Sequence, residues 1–151
     1  MSFTHLHVHT GYSLLDGSCK IKEIVSRAKE LNMTSLAITD HGVMYGVIDF
    51  YKEAKKQGIH PILGSEIYLT ENMEEKSLGK GEARYYHLVL LAENETGFHN
   101  LMKIVSLGFT EGYYYKPRVD YAVLEKYHEG LIALSACLAG EVSRALRQSD
   151  Y

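Results

Sequence analysis

The chain has 151 residues, enough for one hydrophobic core and too few for two comfortable domains. Its apolar fraction of 46% and charged fraction of 23% are those of an ordinary globular protein, and no apolar run approaches the length of a membrane span. A net charge of −3 and a pI near 6.2 argue against a freestanding electrostatic DNA binder, while leaving open nucleic acid reached through metal ions. The first ten residues lack the basic start and apolar middle of a signal peptide, and two distant cysteines make no disulfide framework. A reducing cytoplasm is therefore expected, with no membrane partner.

In chain order, residues 4–9 read as a short strand followed by a polar loop through Gly17-Ser18. Ile21, Ile24, Val25, Ala28 and Leu31 recur at helical spacing, which predicts an amphipathic helix over 20–31. Residues 35–39 form a buried apolar strand, and Asp40-His41-Gly42 a loop. A second helix presents Val47, Phe50, Tyr51 and Ala54 on one face, with Gly58 just past its end. Residues 60–69 are a third strand, 70–84 a charged, glycine-containing excursion, and 87–92 a fourth strand. A helix over about 95–107 leads to an irregular loop, Gly112-Tyr113-Tyr114-Tyr115-Lys116-Pro117-Arg118. Asp120 can N-cap a short helix over 121–127, residues 131–134 make a fifth strand, and 140–147 begin another helix. The alternation predicts an α/β fold with about five parallel strands, in a sheet or barrel that this chain leaves incomplete.

Histidine is abundant, eight residues, and three of them alternate in His5-Leu6-His7-Val8-His9. Alternate strand residues share a face and lie about 7 Å apart, so these imidazoles can converge on one or two metal ions. One His-x-His alone is as well explained by an edge-strand cluster; three on one face shift the balance. Asp40 and His41 follow the second strand, at the end where active sites of parallel βα proteins form. Asp40 is explained almost as well as a helix cap, whereas His41 is the better-placed ligand. Glu66 holds a similar position late in the third strand, where an ordinary strand-end carboxylate is the plain alternative. Asp16, beside Gly17, has a turn-forming explanation, and Cys137 after the fifth strand is otherwise a small buried apolar group. A mixed His, Asp, Glu and Cys set suits zinc or manganese rather than calcium. Clustered ions of that kind are suited to phosphoester displacement.

The run from His5 to Gly17 closely resembles the opening of bacterial DNA polymerase III alpha subunits. So do Ala37-Ile38-Thr39-Asp40-His41-Gly42, Pro61-Ile62-Leu63-Gly64-Ser65-Glu66, His87-Leu88-Val89-Leu90-Leu91-Ala92 and Leu134-Ser135-Ala136-Cys137, so that the resemblance covers the whole chain. It implies the polymerase and histidinol phosphatase (PHP) domain, a distorted seven-stranded β/α barrel with a three-metal centre. Carried over by motif, the implied ligands are His7, His9, Asp16, His41, Glu66, His87 and Cys137. A further Asp and His of the family belong to a later part of the barrel, so the 1–151 portion is expected to bind metal more weakly than a complete domain. The implied activity is a metal-dependent 3′-to-5′ proofreading exonuclease in a DNA-replicating polymerase whose own magnesium site lies beyond residue 151. The implied partners are DNA and other replisome subunits. A structural metal scaffold and a freestanding PHP-type phosphatase are the alternatives. His87 sits at the start of its predicted strand, the wrong end for a site shared with Glu66 in a parallel sheet. His5 shares the ligand face but matches no ligand position, which points to a supporting or core role; His60, His99 and His128 have no motif and are expected to be structural or exposed.

Overall fold

The computed structural model describes residues 3–14, 16–76 and 85–148. Its elements are α1 (Ile21–Glu30), β1 (Ser35–Ile38), α2 (Val47–Gln57), β2 (His60–Thr70), β3 (Tyr86–Ala92), α3 (Glu95–Thr110), β4 (Tyr113–Tyr114), β5 (Lys116–Asp120), α4 (Tyr121–Tyr127), β6 (Leu131–Leu134) and α5 (Glu141–Gln148).

Local chemistry accounts for the ends of the helices. After α1, Asn32 adopts φ 57°, and the Met33 N–H returns to the Ala28 carbonyl at 2.9 Å. Gly58 ends α2 at φ 78°, a left-handed conformation that glycine enters without a Cβ penalty. The Asn94 side chain caps α3 by accepting the Gly97 N–H at 3.0 Å, and Asp120 caps α4 by accepting from Val123 at 3.1 Å, as the sequence predicts. The apolar faces of α1 and α2 close over β1 around Val25, Leu36, Ile38 and Phe50. Those of α3 and α4 close over the sheet around Ile67, Leu90, Leu101, Ile104 and Val119. Each buried aliphatic side chain of this kind contributes about 1.5–3 kcal/mol relative to its exposed state.

The α/β class stands, but the all-parallel arrangement does not. Among the described residues six strands form one sheet, ordered β4-β5-β2-β3-β6, with β1 paired to β2. The β1–β2 and β2–β5 pairs are parallel; β2–β3, β3–β6 and β4–β5 are antiparallel. The reversal of β3 follows from its connection. Parallel neighbours need a long crossover, usually a helix, whereas the sequence pattern between β2 and β3 offers none. The predicted excursion lies within the described residues only through Lys76.

Two other expectations are corrected. The predicted strand over 4–9 is not regular: the Ala37 and Thr39 amides donate to His5 and Val8 carbonyls, but the Val8 N–H goes to Thr39 Oγ1 at 2.7 Å. A side-chain oxygen replaces a backbone acceptor, and the ladder is interrupted there. The predicted loop over 112–118 is a tight hairpin, β4 and β5, in which Tyr114 pairs with Lys116 and Tyr115 alone forms the tip.

Candidate metal centre

Glu66 lies at the middle of this arrangement. It sits in β2 with its side chain wholly buried, and the backbones on both edges hold it there. On one side the Gly42 N–H donates to its carbonyl, and its own N–H donates to the Asp40 carbonyl; on the other it pairs with Val89. Because strand side chains alternate, Ile67 joins the α3 core while Glu66 and Tyr68 face the opposite way. Four imidazoles converge on the Glu66 carboxylate. His9 Nε2 is 2.6 Å and His7 Nε2 2.8 Å from Oε2; His41 Nδ1 is 3.4 Å from the same oxygen; His87 Nδ1 is 3.1 Å from Oε1. The His7 and His9 Nε2 atoms are themselves 3.2 Å apart.

Asp16 closes the outer side. Its Oδ2 is 2.8 Å from His41 Nε2 and 3.3 Å from His9 Nδ1, and its side chain is 47% exposed. Three overlapping triads therefore present their ligand atoms within 4.8 Å of one another: His7, His9 and Glu66; His9, Asp16 and His41; His41, Glu66 and His87. Among the described residues His41 Nδ1 is buried with no hydrogen-bond partner, a cost that a coordinated cation removes. Nitrogen and carboxylate donors in such triads fit a divalent transition ion, and the residues present fit the group that the sequence implies.

The reversal of β3 resolves the difficulty with His87. In the antiparallel ladder Tyr86 and His87 pair with Leu69 and Tyr68, so the start of β3 lies beside the end of β2. Strand β6, antiparallel to β3, ends at the same side, and the loop after it brings Cys137 Sγ to 3.5 Å from His87 Nδ1. Cys137 is exposed rather than buried, and no described triad includes it. The ends of β1, β2 and β6 and the start of β3 thus meet.

The electrostatics follow from this crowding. Burial pushes the Glu66 carboxyl up, but hydrogen bonds from His87, His9 and His7 outweigh it and hold the group well below the usual carboxylate range. The hydrogen bond to Glu66 raises His9 against its own burial. Burial dominates at His41 and lowers it, favouring the neutral imidazole that can bind a metal. Burial and the nearby Tyr85, Glu66 and Asp16 push the Tyr68 hydroxyl up to about 12.

Asp40 is neither ligand nor helix cap. It is buried, and its carboxylate accepts from the Thr10 N–H at 2.6 Å, the Thr10 hydroxyl at 2.9 Å and the Ser13 hydroxyl at 3.2 Å. The Ser13 hydroxyl in turn accepts the His41 N–H at 2.9 Å. Asp40 therefore fixes the loop that carries Asp16 against the segment that carries His41. Tyr68, overlooked in the sequence, stacks on His41 with ring centres 5.8 Å apart and meets His87 edge-on at 5.2 Å. Its spacing of two from Glu66 was the available signal. His5 is exposed, with its ring edge-on to Phe3 at 4.7 Å, which removes the core role. His60, His99 and His128 are exposed as expected.

The chain is similar to known proteins along nearly its whole length. Residues 5–151 match the PHP domain family. The chain is 52% identical to the DNA polymerase III subunit alpha of Borreliella burgdorferi and 47% identical to that of Helicobacter pylori, in each case over 99% of this chain. It spans only 13% and 12% of the lengths of those relatives. A crystal structure described as a metal-dependent phosphoesterase from Bifidobacterium adolescentis shares the fold, with a TM-score of 0.51 and 20% identity over 70% of this chain and 32% of its own. With the match over nearly all of its length, the chain belongs to the PHP domain family.

Proposed function

We propose that this chain is the PHP portion of a bacterial replicative DNA polymerase III alpha subunit and carries a metal-dependent phosphodiesterase site, a 3′-to-5′ proofreading exonuclease in the intact domain. The observation that carries the reading is the wholly buried Glu66 carboxylate with four imidazoles within 3.4 Å. His7, His9, Asp16, His41, Glu66, His87 and Cys137 would hold up to three ions, of zinc or manganese. Such ions supply Lewis acidity and a lowered pKa for bound water.

The chain's own residues supply the rest. Glu66 keeps its negative charge and fixes the orientation of the His7, His9 and His87 rings. Asp40, through Thr10 and Ser13, fixes the loop bearing Asp16. Asp16, the most exposed carboxylate of the cluster, faces an incoming phosphoester. In the parent polymerase the partners are DNA and the other replisome subunits, in the cytoplasm, with a separate magnesium site for polymerisation. No described helix is long and apolar enough to cross a membrane.

The burial of Glu66 also favours a second reading, in which the metals rigidify the domain to support the polymerase. His9→Ala in the full-length polymerase separates the two. Under the first, the variant keeps its circular dichroism spectrum and polymerisation but loses bound ions and nuclease activity. Joint collapse of thermal stability and polymerisation, with no nuclease in the unsubstituted protein, would establish the second.

A further inference from the structure

The hairpin tip next to the metal centre carries a bulky, largely exposed residue in the left-handed backbone region. Tyr115 alone joins β4 to β5, at φ 58°. This left-handed region is costly for a bulky side chain and cheap for Gly or Asn. The residue is nevertheless 73% exposed. The base beneath it is firm: Tyr113 stacks on Phe109 at 6.2 Å, and the Arg118 guanidinium lies 5.2 Å from the Tyr114 ring centre. Arg118 is itself buried and donates to the carbonyls of Gly112, Met73 and Glu75. Tyr114 is partly buried, Tyr113 is half-exposed against Phe109, and the Tyr115 ring meets Tyr114 edge-on at 4.7 Å while the residue keeps most of its surface exposed.

The hairpin adjoins the site. Lys116, next to Tyr115, places its Nζ 5.3 Å from the centre of the Tyr68 ring, and Tyr68 stacks on His41. A Cβ on Gly42, beside His41, would come within 2.9 Å of Pro117 Cγ, so the hairpin packs directly on the ligand loop. An exposed aromatic face and an exposed ammonium on adjacent residues match the two repeating features of a single nucleic acid strand, its base and its phosphate. The overall charge of −3 argues against a broad electrostatic footprint and favours local recognition.

We propose that the β4–β5 hairpin is a strand-binding platform, with Tyr115 stacking on a base of single-stranded DNA and Lys116 contacting the adjoining phosphate. This rests on the reading of the site as a phosphodiesterase, and it names the polymeric part of the substrate that the site receives.

The test measures binding without cleavage: fluorescence anisotropy of a labelled oligothymidylate of about twelve nucleotides, in EDTA, with melting temperature recorded in parallel. Tyr115→Gly should weaken binding about tenfold while the melting temperature holds or rises, because backbone strain is relieved. Tyr115→Phe should bind as the unsubstituted chain does. Lys116→Gln should weaken binding and lower the salt dependence by about 0.7 in the log–log slope. An oligonucleotide of the same length lacking bases should bind about as weakly as thymidylate binds Tyr115→Gly. No binding by the unsubstituted chain, or equal affinity in Tyr115→Gly, overturns the proposal. Weakened binding by Tyr115→Gly in a chain that takes up no divalent ion would leave the platform standing and sink the hydrolytic reading; ion uptake with unchanged oligonucleotide affinity would do the reverse.

Discussion

His87 stands opposite Tyr68 in the antiparallel β2–β3 ladder, and this places its Nδ1 3.1 Å from Glu66 Oε1 and 3.5 Å from Cys137 Sγ. In a parallel pairing the same histidine would start its strand at the far end of the sheet. One reversed strand thus lets a ligand at the beginning of β3 meet Glu66 within β2 and others that follow β1 and β6.

The position of Cys137 can be checked directly. Cobalt-substituted protein should show a thiolate-to-cobalt charge-transfer absorption that vanishes in Cys137→Ser, because the thiol sits at the His87 edge of the cluster. An absorption unchanged by the substitution would leave Cys137 as a loop residue that accepts the Ala139 N–H.

Asp40→Ala should destabilise the fold by about 2–4 kcal/mol, because the Thr10 and Ser13 donors lose a buried charged acceptor. It should also weaken ion binding at the triad containing Asp16, although the hydrogen bonds of the Asp40 carboxylate go to Thr10 and Ser13 and not to a candidate ligand. Urea unfolding and metal titration of the same variant measure both effects. Full ion affinity despite the expected loss of stability would limit Asp40 to a structural role.

Part of what depended on near neighbours was legible in the sequence. Asp120 as a cap, Gly58 as a helix stop, and the β1–α2–β2 succession that brings His41 beside Glu66 all follow from local pattern. The direction of β3 went unread, although the absence of a helical pattern between β2 and β3 was its available signal. Strands β4 and β5 have two and five residues, too short for alternation to register among three tyrosines and a proline. The role of Asp40 was hidden for a different reason: its partners lie 30 and 27 residues earlier and meet it only in the folded chain.

Gly64 tests how closely β2 and β3 must approach. A Cβ there would lie 2.5 Å from the Leu90 carbonyl oxygen and 2.7 Å from Leu91 Cδ2, so Gly64→Ala has to push the strands apart. The expected cost is about 1–3 kcal/mol. Glu66 and His87 meet diagonally across the same ladder, so ion affinity should fall with stability. Unfolding curves with unchanged midpoints would contradict this packing.

Metal affinity should rise with pH, and His9 should set the range. Its hydrogen bond to Glu66 raises its pKa, so its proton competes with metal to higher pH than that of an ordinary imidazole, near 6.5. His41 is shifted the other way by burial and is neutral sooner. Glu66, held well below the carboxylate range, stays charged throughout and does not contribute to the slope. As pH rises through the raised His9 value, the proton is released and the cost of displacing it disappears. Below that value the apparent affinity should fall by about a factor of ten per pH unit for each proton displaced. Competition titrations against a chromophoric chelator, at several pH values, give the slope. His9→Gln should bind more weakly and with a flatter pH dependence; a variant that kept the full slope would move the titrating group elsewhere in the cluster.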